Sequence, residues 1–305
     1  MRAVWSLWSK PIQVGHRVAW ASNKHHLLGW VLSTRTGMVH YRPTALYTDD
    51  AGARALVDGA GLEFDEVHTS LNALADRDPG WWALGKLYAY RAQPASFVHI
   101  DCDVFLWKRL REELESAPVF AQNPEYFVPG RSYYRPEVFE AAVDGVWDGW
   151  LPPEWSWYRR SGLPLRGESC GILGGNSVDF LRHYAERAIR LIEHPGNQAA
   201  WVRIGDKIGH CILFEQYLLA ACLEHHRYHA DSPYHDITID YVFPSEGHAF
   251  NPRAAEEAGY THLIAGSKRN PRIADALEAR VAADYPELYE RCVRYLDGLA
   301  PGQPL

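Results

Sequence analysis

The sequence predicts an α/β fold in which a twisted, mostly parallel sheet is flanked by helices. Short strand candidates alternate with helix candidates along residues 1–127, and this alternation is typical of doubly wound sheets. The 305 residues suffice for one large domain, and 47% hydrophobic and 23% charged residues is the composition of a globular chain. In a sheet of this kind, ligands bind at the carboxyl ends of the strands.

The elements of residues 1–127 follow from apolar spacing and from turn residues. Strands are predicted at 2–7, 44–50, 66–72, 96–107 and 118–127. Helices are predicted at 23–41 with Ser22 as cap, at 51–62 ending on glycines, and at 80–93 closed by Pro94. These elements supply the strand–helix alternation on which the fold prediction rests.

Residues 128–166 have a different composition, in which Pro, Gly, Trp, Tyr and Arg dominate and only one weak helical patch occurs. The segment is predicted to be an insert or a lid, and its aromatic content argues against disorder. Its tryptophans form either a ligand platform or a small satellite core; they are Trp147, Trp150, Trp155 and Trp157. The remaining predicted elements are strands at 168–176, 235–243 and 261–266, helices at 178–194 and from about His210, and a C-terminal helix at 270–298.

Charge, cysteine content and hydropathy exclude several classes of protein. A net charge of −7 and a pI near 6.1 argue against sequence-independent nucleic-acid binding, which needs a basic surface. Five cysteines without a CxxC spacing indicate neither a disulfide framework nor a zinc knuckle. We find no apolar run long enough for a signal peptide or an integral membrane segment, so we expect a cytoplasmic protein.

Two aspartates, Asp101 and Asp103, stand at the end of an apolar run in the stretch SFVHIDCDVFLW. Residues i and i+2 of a strand point to the same face, so both carboxylates can converge on one point. Two close carboxylates repel each other unless a cation neutralises them, and oxygen-rich sites suit Mg²⁺ or Mn²⁺. The alternative is that one aspartate caps a helix and the other is solvated.

Two further segments favour the cation site. In HLIAGSK, His262 is a candidate third ligand, Gly266 permits close backbone approach, and Lys268 is a suitable charge for a phosphate. In FEQYLLA, Glu215 and Gln216 lie on an otherwise apolar helix and form either a catalytic pair or a satisfied buried network.

A second histidine-rich stretch, EHHRYH, raises the separate question of zinc. His225 and His229 can share one helix face, but the HExxH order is absent. Histidines at a helix end are also favoured by the helix dipole, which is the simpler explanation.

The order FVHIDCDVFL, ESCGILGGN, FEQYLLA and HLIAGSK resembles that of the metal-dependent GT-A glycosyltransferases. It is most similar to the retaining family 8, which includes glycogenin and bacterial lipopolysaccharide sugar transferases. The resemblance runs from the first strand to Lys268 and implies a Rossmann-like GT-A fold. It implies one catalytic domain over 1–305, with a nucleotide- and metal-binding half at 1–127, the insert at 128–166, an acceptor side and closing motif at 167–269, and a final helix at 270–298.

The resemblance also implies a role for each matching residue. Asp101, Asp103 and His262 would hold Mn²⁺ or Mg²⁺ against the diphosphate of a nucleotide-diphosphate sugar. The donor itself would contact a larger set, namely Trp5, Ser6 and Ser9 at the nucleobase, Cys102 near the ribose, Lys86, Ser169, and Gly266 with Lys268 at the diphosphate. Glu215 and Gln216 would lie beside the reacting sugar.

Several positions depart from the family pattern. Ser169 stands where the family has Asn, Glu215 where it has Asp, and Ala265 where it has Gly, with Gly266 one place later. The usual aspartates after the first strand are absent, so a UDP-sugar donor is a family expectation.

The predicted function is transfer of a hexose to a hydroxyl of an unknown saccharide, natural product or peptide. The resemblance implies retention of configuration, whereas a Glu215 that acts as general base on the acceptor hydroxyl would allow inversion. One alternative is a catalytically inactive protein that binds nucleotide sugars. The other is a DxD-type phosphohydrolase, although Phe105 occupies the place where that class has Thr or Val.

Overall fold

The computed structural model describes residues 1–15, 20–128 and 133–299. Its described residues form eleven strands: β1 Arg2–Leu7, β2 Thr44–Thr48, β3 Glu66–His68, β4 Phe97–Ile100, β5 Val104–Leu106, β6 Val119–Ala121, β7 Pro124–Tyr126, β8 Arg166–Glu168, β9 Ile172–Gly175, β10 Ile239–Tyr241 and β11 Tyr260–His262. Seven of them form the main sheet, in the order β10-β6-β9-β4-β1-β2-β3.

The pairings make this sheet mostly parallel, as the sequence predicts. β1 runs parallel to β2, β2 to β3, and β10 to β6, whereas β6 and β9 are antiparallel. Two small antiparallel sheets pair β11 with β5 and β7 with β8. The predicted α/β fold with a mostly parallel sheet flanked by helices is therefore confirmed.

The chain divides into two compact units. The first comprises the described residues of Met1–Pro79, Val98–Arg109 and Ala255–Leu305, and the second comprises Gly80–Phe97 and Leu110–Ala254.

The main helix of the first unit is Asn23–Met38, and it is buried on most of its faces. Ser22 caps it, because its Oγ accepts a hydrogen bond from the His25 N–H. The other helical segments of this unit, including short 3-10 turns and the π-helical turn at 54–59, are Lys10–Gln13, Asp50–Ala53, Arg54–Gly59, Ser70–Leu74, Ala265–Arg269, Pro271–Asp284 and Pro286–Asp297. The last two helices pack on Asn23–Met38, which explains why that helix is buried on most of its faces.

The second unit holds β6 to β10 and most of the remaining helices. Its helical segments are Leu84–Arg91, Glu112–Ser116, Pro136–Asp144, Pro153–Arg160, Val178–Glu193, Pro195–Asn197, Gln198–Trp201, Lys207–Ile212, the π-helical turn Leu213–Tyr217, Leu218–Arg227 and Glu246–Ala249. Helices Pro79–Trp81 and Pro252–Ala258 cross from one unit to the other along the chain.

Several predicted elements are wrong in their extent. The strand predicted at 66–72 is shorter and ends at His68, the one predicted at 118–127 is the two strands β6 and β7, and the one predicted at 168–176 covers the end of β8 and β9. The strand predicted at 96–107 is two strands, β4 and β5, separated by a turn. The helix predicted at 270–298 is interrupted at Tyr285, where Pro286 begins a new helix and fixes the backbone of the preceding residue. The insert contains two helices, Pro136–Asp144 and Pro153–Arg160, instead of one weak patch, each starting with a proline at its first turn. Residues 129–132 of the insert lie outside the described residues.

Two sequence expectations concern cysteines and membrane spans. All five cysteines are free thiols. None of the helices formed by the described residues combines the length and the apolar content that a membrane crossing requires.

Candidate functional site

The two aspartates of the DxD stretch lie in a turn that follows β4. The strand ends at Ile100, and the Val104 N–H donates to the Asp101 carbonyl at 3.0 Å, which closes the turn before β5. The prediction that strand alternation places both carboxylates on one face is therefore wrong.

Helix Asn23–Met38 holds this turn in place. Ser33 donates its hydroxyl hydrogen to the Asp101 carbonyl at 2.8 Å and accepts a hydrogen bond from the Trp5 indole at 3.0 Å. Gly29 permits the close approach, because a Cβ there would stand 3.1 Å from the Cys102 carbonyl oxygen and 2.5 Å from the Trp20 ring. Trp5 is thus a core residue that positions the turn, and Cys102 is half-buried within it.

Asp103 is the meeting point of three distant segments. Its Oδ2 accepts a hydrogen bond from Lys268 Nζ, and its Oδ1 lies 3.5 Å from His262 Nε2. β11 pairs antiparallel with β5, and this pairing sets His262 opposite Val104. The Leu263 N–H also donates to the Asp103 carbonyl at 2.9 Å. The predicted convergence of Asp103, His262 and Lys268 is present in the first unit.

The electrostatics of Asp103 reflect these neighbours. Burial by itself raises the pKa of the Asp103 carboxyl, but the charges of Lys268 and His262 outweigh burial and hold that pKa well below its usual range. The carboxylate is therefore ionised at neutral pH.

Asp101 faces a histidine that the sequence analysis missed. His99 Nδ1 lies 3.7 Å from Asp101 Oδ1, and His99 Nε2 lies 2.9 Å from Ser6 Oγ. Asp101, Asp103 and His262 do not form a group whose ligand atoms all lie within 4.8 Å of one another. The signal for His99 was its position two residues before Asp101 in an otherwise apolar strand.

The closing segment HLIAGSK begins at the end of β11 and continues into the turn Ala265–Arg269. Ala265 has φ = 47°, in the left-handed region that favours glycine. This is the position at which the resemblance expects a glycine. Gly266 has open space around its Cα, so a backbone approach there is unhindered. Lys268 Nζ lies 5.6 Å from the centre of the Trp20 ring.

Ser9 joins the ends of β1 and β2. Its N–H and its hydroxyl both donate to Asp49 Oδ2 at 2.9 Å. Asp49 Oδ1 in turn accepts from the Gly52 N–H at 2.8 Å and caps the helix Asp50–Ala53. An acid thus lies at the carboxyl end of β2, where parallel strands commonly present ligand-binding groups.

In the second unit, Lys86 and Glu215 form a buried ion pair. Lys86 lies on helix Leu84–Arg91, contacts the Glu215 carboxylate, and donates to the Cys170 carbonyl at 3.0 Å. Glu215 has no exposed surface and lies in the π-helical turn Leu213–Tyr217. Turns of this type are common at functional sites.

Gln216 lies next in the same turn and contacts a tyrosine of the insert. Tyr134 Oη contacts Gln216 Oε1 and donates to Glu125 Oε2 at 2.6 Å. One hydroxyl has one hydrogen, so the three groups are satisfied together if the Gln216 amide presents N–H to Tyr134. Burial, and then the charge of Glu125, raise the pKa of Tyr134 well above its usual range. Tyr134 is the second residue that the sequence analysis missed.

The remaining predicted site residues are Ser169 and the tryptophans of the insert, and they differ in burial. Ser169 is buried, and its backbone N–H and carbonyl bond to Asn123 and Gln122. Trp155 is fully buried and donates to Glu140 at 2.9 Å, whereas Trp147 is 99% exposed. The insert therefore has a core tryptophan and a surface tryptophan.

Comparison with known proteins gives a family and a distant structural likeness. Residues 1–295 match the model of a family of unknown function, DUF6734, and the chain belongs to that family. Comparison with curated proteins found no match. The apo structure of WbbM, a bifunctional glycosyltransferase, is similar with a TM-score of 0.44 and 13% identity, over 96% of this chain and 52% of the WbbM chain. This chain thus spans about half the length of that structure.

Proposed function

We propose that this chain is a glycosyltransferase that moves a hexose from a nucleotide-diphosphate sugar to an acceptor hydroxyl. The donor diphosphate and a divalent cation bind at the acidic turn site, which we define as Asp101, Asp103, His262 and Lys268. The observation that supports this most is the meeting of distant segments at Asp103, since Lys268 is 165 positions away in the sequence. A carboxylate, an imidazole and an ammonium group together suit a cation with an adjoining phosphate.

Two of the residues present, Asp103 and His262, fit Mn²⁺ or Mg²⁺. Two atoms that bind one octahedral ion lie about 3 Å apart, and Asp103 Oδ1 lies 3.5 Å from His262 Nε2. That buried oxygen has no hydrogen bond to any of the described residues. Asp101 would supply a second carboxylate from the same turn. A cation held by these groups stabilises the negative charge that develops on a leaving diphosphate.

Lys268 is proposed to have two roles. Before a cation binds, its ammonium group neutralises Asp103 and lies over the Trp20 ring. When a cation takes that place, the flexible lysine side chain becomes available to a diphosphate oxygen. Lysine is suited to this exchange because it acts as a movable point charge.

The resemblance assigns Glu215 and Gln216 to the reacting sugar and Lys86 and Ser169 to the donor; in the structure, Glu215 is fully buried in its ion pair with Lys86. The sugar carbon becomes oxocarbenium-like, and a nearby carboxylate or amide oxygen stabilises that charge. The resemblance supports retention of configuration and a UDP donor. The nucleobase is assigned to the segment that contains Trp5, Ser6 and Ser9, with Cys102 near the ribose. The acceptor is a hydroxyl of a saccharide, a natural product or a peptide.

A donor-hydrolysis screen tests the proposal. Nucleotide sugars are incubated with the wild type in Mn²⁺, in Mg²⁺ and in EDTA, and the released nucleoside diphosphate is measured. We expect release with Mn²⁺ and a loss of about 100-fold or more in EDTA or in Asp103→Ala. Asp275→Ala removes an exposed carboxylate from helix Pro271–Asp284 of the same unit and is the matched control, with wild-type turnover expected.

Three other outcomes have distinct meanings. Turnover that persists in EDTA, or no turnover with any donor, contradicts the proposal. Binding of a nucleotide with Mn²⁺ but without turnover identifies an inactive nucleotide-sugar-binding protein. Release of inorganic phosphate from phosphomonoesters identifies a phosphohydrolase.

A further inference from the structure

A second group of metal-type ligands lies in the second unit, apart from all residues assigned above. We call it the three-helix cluster: Glu154 on helix Pro153–Arg160, His183 on helix Val178–Glu193 and His226 on helix Leu218–Arg227. Their ligand atoms all lie within 4.8 Å of one another, and they are the one such group among the described residues. We propose that this cluster binds one Zn²⁺ ion, which joins the three helices.

The spacing of the three ligand atoms matches a tetrahedral zinc ion. His183 Nε2 lies 3.0 Å from His226 Nε2 and 3.1 Å from Glu154 Oε1, and His226 Nε2 lies 3.9 Å from that oxygen. Zinc–ligand distances of about 2.0–2.2 Å place tetrahedral ligands about 3.3–3.6 Å apart. Two imidazoles and one carboxylate are a common zinc donor set, with a fourth position for water.

Hydrogen bonds alone cannot satisfy all polar atoms of the three-helix cluster. His183 Nε2 carries at most one hydrogen, yet it lies close to both Glu154 Oε1 and His226 Nε2. Only one of these contacts can be a strong hydrogen bond. Glu154 is buried, and its second oxygen, Oε2, has no hydrogen bond to any described residue. A single cation can bind the lone pairs of His183 Nε2, His226 Nε2 and the Glu154 carboxylate at once.

Neighbouring groups orient the ligands. His226 Nδ1 lies 2.7 Å from Ser232 Oγ, and when this nitrogen carries the proton, Nε2 keeps its lone pair for a metal. Arg187 Nε donates to Glu154 Oε1 at 3.0 Å and holds that carboxylate from outside.

The cluster differs from the histidine pair that the sequence suggested. The rings of His225 and His229 stack with centroids 4.0 Å apart, and His229 Nδ1 contacts the His225 carbonyl. His226, between them in sequence, is instead the histidine that meets a carboxylate. The donor set of the three-helix cluster also differs from that of the acidic turn site. Imidazole nitrogen favours zinc, whereas carboxylate oxygen favours Mg²⁺ or Mn²⁺.

A zinc titration of the untagged, full chain tests this inference. It is carried out in the Asp103→Ala background by calorimetry, so that the acidic turn site does not contribute. We expect one Zn²⁺ per chain, and at least about tenfold weaker binding after His226→Gln. His225→Gln changes the adjacent histidine of the same helix and is expected to bind zinc as its parent does.

Two results would overturn the inference. One is no stoichiometric zinc binding in the Asp103→Ala parent, which leaves a hydrogen-bonded network without metal. The other is equal affinity in the His226→Gln and His225→Gln variants. If circular dichroism shows that His226→Gln is not folded, the zinc titration is repeated with Glu154→Gln. This variant keeps the shape of the side chain and removes the charged ligand. Failure here leaves the donor-hydrolysis result unaffected, because the two sites share no residue.

Discussion

Two buried lysine–carboxylate pairs, Lys268–Asp103 in the first unit and Lys86–Glu215 in the second, are similar in composition and differ in their surroundings. Asp103 lies in a turn two residues from Asp101, whose side chain is 23% exposed. Glu215 is completely buried within packed helices. One pair therefore borders a partly open turn, and the other is enclosed.

The second contact of each pair differs as well. Asp103 faces His262, a side chain that can bind a metal. Lys86 instead donates to the backbone carbonyl of Cys170, which is not a side chain that can bind a metal. Burial of an ion pair therefore does not by itself indicate function. The neighbours of the pair decide whether a ligand can take over one partner.

The largest effect on stability is expected at Glu215. Glu215→Gln leaves the Lys86 charge buried without its carboxylate, so the free energy of unfolding falls by about 3–5 kcal/mol. Urea denaturation followed by circular dichroism measures this. The double variant Glu215→Gln, Lys86→Met removes both charges and is expected to recover most of the loss. A double variant as unstable as the single one would show that the two side chains do not act as a pair.

Lys268→Met is expected to cost less, about 2 kcal/mol, because Asp103 keeps His262 and lies beside a partly exposed turn. Removal of the ammonium group also frees Asp103 for a cation. We therefore expect Mn²⁺ to bind several-fold more tightly, while UDP in the presence of Mn²⁺ binds about tenfold more weakly. Calorimetry separates these two affinities. Weaker binding of both would show that Lys268 only maintains the fold of the turn.

A smaller effect is expected at Ala265, because its left-handed backbone favours glycine. Ala265→Gly is expected to raise the free energy of unfolding by about 0.5–1 kcal/mol, after the extra flexibility of glycine in the unfolded chain is counted. The matched variant Gly266→Ala meets no atom within 4 Å and is expected to be neutral or slightly stabilising. If the two variants changed stability in the reverse order, the glycine position would be Gly266.

The smallest effect concerns a carboxylate held mainly by the backbone. The N–H of Thr44, then its hydroxyl and Arg42, lower the pKa of Asp65 to about 2 from an ordinary 3.8. A lowered pKa in the folded state means a stabilisation that is present above pH 4 and is lost as the pH falls toward 2. Asp65→Asn should therefore differ most from wild type at neutral pH. Thermal melts between pH 2 and pH 7 test this, and a constant difference would contradict it.

The sequence was sufficient to predict the fold class, because strand–helix alternation is a local signal. The meeting of Asp103, His262 and Lys268 was expected from the resemblance, and in the structure it depends on the antiparallel pairing of β11 with β5. The turn at 101–103 was not predictable in the same way. Apolar residues continue on both sides of it, and β5 is defined by its pairing with β11, which lies far away in the sequence.

The three-helix cluster and Tyr134 could not be predicted for a related reason. Helical periodicity predicts which face of a helix is buried but not which other helix covers it. Glu154 and His183 are 29 positions apart, and His183 and His226 are 43 positions apart. In EHHRYH the spacing of His225 and His229 indicated a shared helix face. In the structure, His226 is the residue that contacts side chains from two other helices.

The cation site at the acidic turn is tested most directly by a Mn²⁺ titration followed by electron paramagnetic resonance, in the presence of UDP. Wild type, Asp103→Ala and Asp275→Ala are compared at the same protein concentration. We predict one bound Mn²⁺ per chain in wild type and in Asp275→Ala, and at least about tenfold weaker binding in Asp103→Ala. Equal Mn²⁺ binding by all three proteins would contradict the assignment of the acidic turn site.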